Sequence, residues 1–124
     1  MEIDIELLKK EAEQGNAESQ YSLGYCCFYG TEVEQNYEKA VELWEKSANQ
    51  NYVAAQVNLG VAYYFGLGTS QDYEKAVELG NVNAIYSLAL CYQLGIGCEK
   101  DGEHAFILYK EAAEEKGALG RKVA

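Results

Sequence analysis

Cys98 and His104 are the two residues of this 124-residue chain best placed by type and spacing to do nucleophilic chemistry. They lie six positions apart in Cys98-Glu-Lys-Asp-Gly-Glu-His104, and His104 is the only histidine. An imidazole beside a thiol lowers the thiol pKa and frees a thiolate to attack, which would make a hydrolase-type site. Each residue also has an ordinary place in a repeating pattern, however, and one Cys/His coincidence has little specificity. The expectation is therefore that the chain is not an enzyme. Metal chemistry fares no better: there is no C-x-x-C and no second histidine. The stretch 97–103, "GCEKDGE", has acidic residues and a glycine but not the ligand spacing of a calcium loop. The glycines of Gly66-Leu-Gly-Thr69 and Gly95-Ile-Gly-Cys98 follow helical sequence and lead into acidic residues. They read as turns rather than phosphate cradles. No cofactor and no metal site is expected.

Composition narrows the partners. The formal net charge is −10, with nearly half the residues hydrophobic and no proline. An acidic chain is a poor ligand for nucleic-acid phosphates or an anionic membrane surface, so neither is expected. The start, "MEIDIELLKKEAEQG", lacks a basic region followed by an apolar run and does not read as a secretory signal. No stretch is long and apolar enough to span a bilayer. The four cysteines, Cys26, Cys27, Cys91 and Cys98, are expected to stay reduced in a cytoplasmic protein.

Self-comparison then organises the chain. Residues 17–30, 53–66 and 82–95 align, and each is followed by a polar link and a second similar segment: "NYEKAVEL" (36–43), "DYEKAVEL" (72–79) and "DGEHAFIL" (101–108). The offset is 36 residues from Leu23 to Leu59 and 29 from Leu59 to Leu88. The missing seven correspond to Trp44-Glu-Lys-Ser-Ala-Asn-Gln50. Apolar spacing inside each segment is helical: Ala55, Leu59 and Tyr63, for example, follow i, i+4, i+8. Gly30, Gly66 and Gly95 are placed to end the first helix of each pair, and Asn36, Asp72 and Asp101 to cap the second. Gly24 and Gly60, inside helices, point to close helix contact, with Ala89 in the third such place. Cys98 aligns with Val33 and Thr69, and His104 with Lys39 and Lys75.

The pattern Ala55, Leu59-Gly60, Tyr63, Gly66-Leu-Gly68, Asp72, Lys75-Ala76, with Trp44, Lys46 and Ala48 from the first copy, resembles the Sel1-like repeat, a relative of the tetratricopeptide repeat. The resemblance implies an all-α chain, an α/α superhelix of about three helix–turn–helix units, and an adaptor or scaffold role. It divides the chain into a capping half-repeat (1–15), repeat one (16–51), a shortened repeat two (52–79), repeat three (80–117) and a tail (118–124) that reads like the start of another unit. Two departures stand out. Cys27 replaces the tyrosine of Tyr63 and Tyr92, and repeat one has Gly30-Thr-Glu32 where the others have Gly-x-Gly.

In such solenoids the first helices line the concave side. Their outward stripe is Glu18, Ser22, Tyr25 and Tyr29; Asn58, Val61 and Phe65; and Asn83, Ser87, Leu90 and Leu94. The expected partner-binding residues are Tyr25, Tyr29, Ser22, Asn58, Phe65, Ser87 and Asn83, because aromatics and adaptable polar side chains dominate recognition. Val61 and Leu90 serve equally well as packing between helices. Losing seven residues shifts the helical phase by only about −20°. Residues 73–79 then form either a stub that turns at Gly80-Asn81 or the start of one long bent helix, the stub being favoured by those two terminators. Either way the place of Trp44, Ser47 and Ala48 falls vacant in repeat two, at a cost of about 3–5 kcal/mol if nothing replaces a buried tryptophan. Rearranged packing, a homodimer through the gap, or a partner that fills it and makes the chain a regulatory subunit would each cover the exposed flanks.

Overall fold

The free N–H groups of a helix's first turn need acceptors, and this sequence supplies short polar side chains where they are required. The computed structural model describes residues 4–95 and 99–123, with side chains described as far as Glu114. Cys98 lies outside the described residues. Helix α1 (Ile5–Glu13) is capped by Asp4, α2 (Ala17–Tyr29) by Asn16 and α3 (Tyr37–Ala48) by Asn36. Helix α4 (Val53–Phe65) starts at Tyr52 with no side-chain cap. Asp72 caps α5 (Tyr73–Glu78), and Asn81 caps α6 (Val82–Leu94). For α7 (Gly102–Val123), Asp101 accepts from the His104 N–H at 3.1 Å. The helices pack in chain order, each on the next from α1 to α7.

Two left-handed turns recur. Gly30, Gly66 and Gly95 end the first helix of each pair at φ +71°, +72° and +70°. The chain then doubles back, and the N–H groups of Asn36, Asp72 and Asp101 donate to the carbonyls of Cys27, Tyr63 and Tyr92 at 2.7, 2.8 and 2.9 Å. The second turn joins one pair to the next at Gly15, Asn51 and Gly80, with φ +91°, +64° and +79°. The residues following them, Asn16, Tyr52 and Asn81, donate to the carbonyls of Glu11, Ser47 and Ala76. The seven-residue loss therefore leaves this turn intact and shortens only the helix before it. Residues 73–94 are not one bent helix: α5 has six residues and stops before the turn at Gly80. At the other end, α7 continues to Val123 with no break where a further unit would begin.

The core follows from how each second helix meets a first helix. Trp44 is 2% exposed, and its indole Nε1–H donates to the Tyr21 carbonyl at 3.1 Å. It lies so close over α2 that a methyl group on Gly24 would stand 2.6 Å from its ring. Repeat two solves the same problem differently. A methyl on Gly60 would meet the Cβ atoms of Leu79 and Asn81 at 3.4 and 3.5 Å, which is ordinary contact. The vacancy expected there is thus closed from within, by the last residue of the stub and the cap of the next helix. A matching change lies one unit on. Gln20 and Gln56 use their side-chain amides to bind the carbonyls of Ala12 and Ala48, each 3.2 Å away near the end of the preceding helix. The equivalent residue after the stub is Ile85, fully buried beside Val77 and Val82.

This contrast separates the two helix glycines. Gly24→Ala forces the methyl into Trp44 and is expected to cost about 1–3 kcal/mol. Gly60→Ala gains helix propensity of up to about 1 kcal/mol with no clash. Urea unfolding of both variants checks this; equal destabilisation would refute the tryptophan contact as the reason for Gly24.

Candidate functional site

Of the residues in α2, α4 and α6, only Glu18 carries a charge, whereas α1, α3 and α5 are rich in Glu and Lys. The chain's acidity is therefore segregated from the face made by the first helices. That face presents the same ridge three times at i, i+4, i+8: Tyr21, Tyr25 and Tyr29; Val57, Val61 and Phe65; Tyr86, Leu90 and Leu94. Six of these nine are exposed large apolar side chains besides Val57, which is itself 55% exposed; Tyr29 and Phe65 reach 59% and 60%. Neighbouring first helices touch across the face, since the Tyr64 hydroxyl lies 3.0 Å from Ser87 Oγ.

Four of the seven expected binding residues divide between two shallow grooves, and Phe65, Ser87 and Asn83 line neither. Tyr29 and Asn58 come together, with Phe28, Val61 and the edge of Trp44, around a hollow of about 150 Å³ between α2 and α4. Ser22 and Tyr25 instead line a groove of about 440 Å³ with Leu8, Tyr21 and Cys26, facing back toward α1. The Tyr25 and Tyr29 rings are 4.6 Å apart, so the aromatic strip along α2 bridges the two. Phe65 is exposed and meets Tyr64 edge-on at 4.8 Å. Ser87 is half-buried and engaged with Tyr64. Asn83 is exposed on the first turn of α6 and borders neither groove. Sequence reading missed Val57 and Tyr86, which complete the ridge, and the exposed Val53 before them. Extending the Tyr25–Tyr29 spacing one turn back in each copy would have found Val57 and Tyr86, and a second turn back Val53.

His104 is exposed, and its ring lies 4.3 Å from that of Tyr92. Its counterpart Lys75 holds its ammonium 5.1 Å from the ring centre of Tyr63. This place in the repeat therefore covers a tyrosine. Tyr63 is buried, and its hydroxyl donates to the Glu45 carboxylate. Burial first, then the bond and charge of Glu45, push its pKa up to about 12. Cys26 and Cys27 are buried, and burial raises both thiols. Cys26, Cys27 and Cys91 form no disulfide. Among the described residues, no cluster of three His, Cys, Asp or Glu could hold a metal. Among them, too, no helix is long and apolar enough to cross a membrane.

Helix pairs joined by recurrent left-handed turns and stacked in chain order define an α/α solenoid. The Sel1 repeat pattern matches residues 17–52, 53–79 and 82–116, and the chain belongs to that family. No curated protein matches the sequence. Several solved structures resemble it. One is c5321, a protective antigen present in uropathogenic Escherichia coli strains, at 32% identity and a TM-score of 0.62 over 90% of this chain. Another is a Sel1 repeat protein from Oxalobacter formigenes, at 30% identity and a TM-score of 0.61 over 89% of this chain. The chain spans only 25% and 48% of the length of these two. Sel1 repeat proteins are generally protein-interaction modules.

Tyr63 links the fold to pH. Its folded pKa, about 12, lies above the ordinary tyrosine value of 10.0, so folding favours the neutral phenol. Its contribution to stability is complete below about pH 10 and is lost as pH rises toward 12. Chemical unfolding across that window should show a steeper alkaline loss in the wild type than in Tyr63→Phe. Parallel curves would exclude Tyr63 as the group responsible.

Proposed function

We propose that this chain is a non-enzymatic binding module, an adaptor or scaffold, that engages a protein or peptide along the face of α2, α4 and α6. The observation that carries the reading is the exposed apolar ridge repeated at equivalent positions of three helices. Scattered apolar residues need no explanation, but a contiguous exposed set of aromatic and aliphatic side chains marks a contact surface. The near absence of charge on the same helices points to a partner segment that is itself apolar or aromatic. Asn58, half-buried beside Tyr29, is placed to hydrogen-bond the backbone of such a segment.

Other features support this reading over its rivals. His104 stands where Lys75 covers Tyr63 and lies against the Tyr92 ring, tilted to it by 47°, which favours a packing role over catalysis with Cys98. Leu79 and Asn81 close the gap in repeat two, so a homodimer or regulatory partner is not needed to fill it. Buried, unpaired Cys26 and Cys27 fit a reducing, cytoplasmic setting.

Affinity purification with mass spectrometry, wild type against a Tyr29→Ala/Phe65→Ala double variant, tests the proposal. Each exposed aromatic anchor is worth about 2 kcal/mol when it is a hot spot, or about thirtyfold in affinity. The double variant should lose a partner that the wild type retains at fixed stoichiometry, while melting within a few degrees of the wild type. A partner held equally by both forms would remove this face from consideration.

A further inference from the structure

The three units are copies, so each shows what the others have given up. In unit two, Tyr63 fills the space between the second helix before it and the second helix after it. Its hydroxyl meets Glu45 of α3, and Lys75 of α5 sits over its ring. In unit three Tyr92 takes the same place beneath His104. In unit one the ring is gone, because Cys27 stands where Tyr63 and Tyr92 stand, and its small side chain leaves space. A cavity of about 300 Å³ opens there, floored by Leu23, Cys27 and Leu43 and bordered by Lys9, Lys39 and Lys46. That volume lies at the lower end of small-molecule sites.

The charges around the place have changed together with the ring. Lys9 occupies the position of Glu45, 36 residues earlier, so the group that accepted a phenol proton in unit two is replaced by an ammonium. Lys39 keeps the position of Lys75. Three lysines face the cavity against one carboxylate, Glu13, in a chain whose net charge is −10. Lys9 and Lys46 make only exposed pairs with Glu6 and Glu42, at 3.5 and 3.7 Å. Such pairs hold a side chain weakly and leave it free to turn to a ligand. Among the described residues, no ion pair includes Lys39. Burial keeps the Cys27 thiol neutral despite Lys39 and Lys9, so no thiolate balances them.

We propose that unit one binds a small free carboxylate bearing an aromatic ring in the space left by Cys27, its ring replacing the missing tyrosine ring beneath Lys39 and its carboxylate meeting Lys9. Unit two is the internal template. There the order is ring, hydroxyl, carboxylate, with a lysine over the ring. In unit one the protein supplies the lysines and the apolar floor, and the ligand supplies the ring and the negative charge. An aromatic ring over Leu23 and Leu43 recovers the contact area that Cys27 lacks, and an ammonium beside a half-enclosed carboxylate makes a charge-assisted hydrogen bond. The site lies on the α1–α3 side, apart from the apolar ridge, and does not depend on it.

The test is titration of ¹⁵N-labelled protein with phenylacetate, followed by amide shifts. Saturable shifts are expected at Leu23, Cys27, Lys39 and Leu43. Phenylacetamide, which has the same shape without the charge, should bind about tenfold more weakly. Cys27→Tyr fills the space with the side chain that units two and three already carry, and should abolish the shifts while raising the melting temperature. No saturable shift with phenylacetate, equal affinity for the amide, or unchanged binding by a folded Cys27→Tyr would each overturn the proposal. If Cys27→Tyr does not fold, Lys39→Gln carries the test, since its side chain is exposed: several-fold weaker binding is expected, and unchanged affinity overturns. A peptide ending in a free C-terminal phenylalanine that binds more tightly than phenylacetate would assign the site to a protein chain end and overturn the free-ligand reading.

Discussion

No helix pair of this length can bury both its faces, so every unit here is held by its neighbours. That constraint governs what the chain can change. A unit can alter its length only if its apolar stripe still points at the pairs before and after it. Seven residues are about two turns of helix, with a phase error of about 20°. Ala76 shows the consequence. Counted from the start of its helix it takes the place of Ala40, and counted back from the turn it takes the place of Ser47. All three are fully buried. One residue can serve both registers because the deletion preserves the face.

The shortening is absorbed by several small changes around the stub. Where Trp44 lies hard against Gly24, Leu79 and Asn81 rest at ordinary distance on Gly60. Asn81 meanwhile keeps its other duty, accepting from the Ala84 N–H at 2.9 Å as the cap of α6. One unit on, the glutamine that reaches the end of the preceding helix becomes Ile85. The carbonyl that would receive the amide, that of Val77, is still in place and accepts from the Gly80 N–H, but Ile85 meets Val77 by apolar contact instead. The unit is short, but no buried side-chain polar atom among the described residues is left without a partner.

The periodic features were the legible ones. Helix pairs, caps at Asn36, Asp72 and Asp101, and terminating glycines all announce themselves because each rests on a local rule repeated three times. What stayed hidden was relational. The closure of Gly60 by Leu79 and Asn81 depends on how two helices and a turn meet, and alignment to Trp44 pointed only to an absence. Glu32 is similar. Alignment marked it as a departure from Gly68, and the structure shows that both residues adopt the same left-handed backbone, at φ +64° and +77°. Gly68 has a reason to lack a side chain, since a methyl there would stand 2.3 Å from the Tyr37 carbonyl. The layout of the outward stripe was half legible for the same reason. The stripe was visible in spacing, but the split of Ser22 and Tyr25 from Tyr29 and Asn58 into separate grooves is set by the helices on either side.

Charge tells the two kinds of helix apart more sharply than hydrophobicity does. First helices are nearly uncharged yet leave large apolar side chains in water. Second helices carry the acids and bases and bury Trp44, Leu43, Val41 and Ala76, with Phe106 and Ile107 of α7 left exposed. If solubility alone shaped this surface, charge would be spread over both, because an exposed Phe65 or Leu94 gains nothing from being bare. The second helices have room for charge because only one of their faces is needed to hold the stack. The first helices also use one face for the stack, yet the ridge on their other face is apolar in all three units, through a change of unit length and through replacement of tyrosine by valine and leucine. The side chains differ from copy to copy while the apolar character does not.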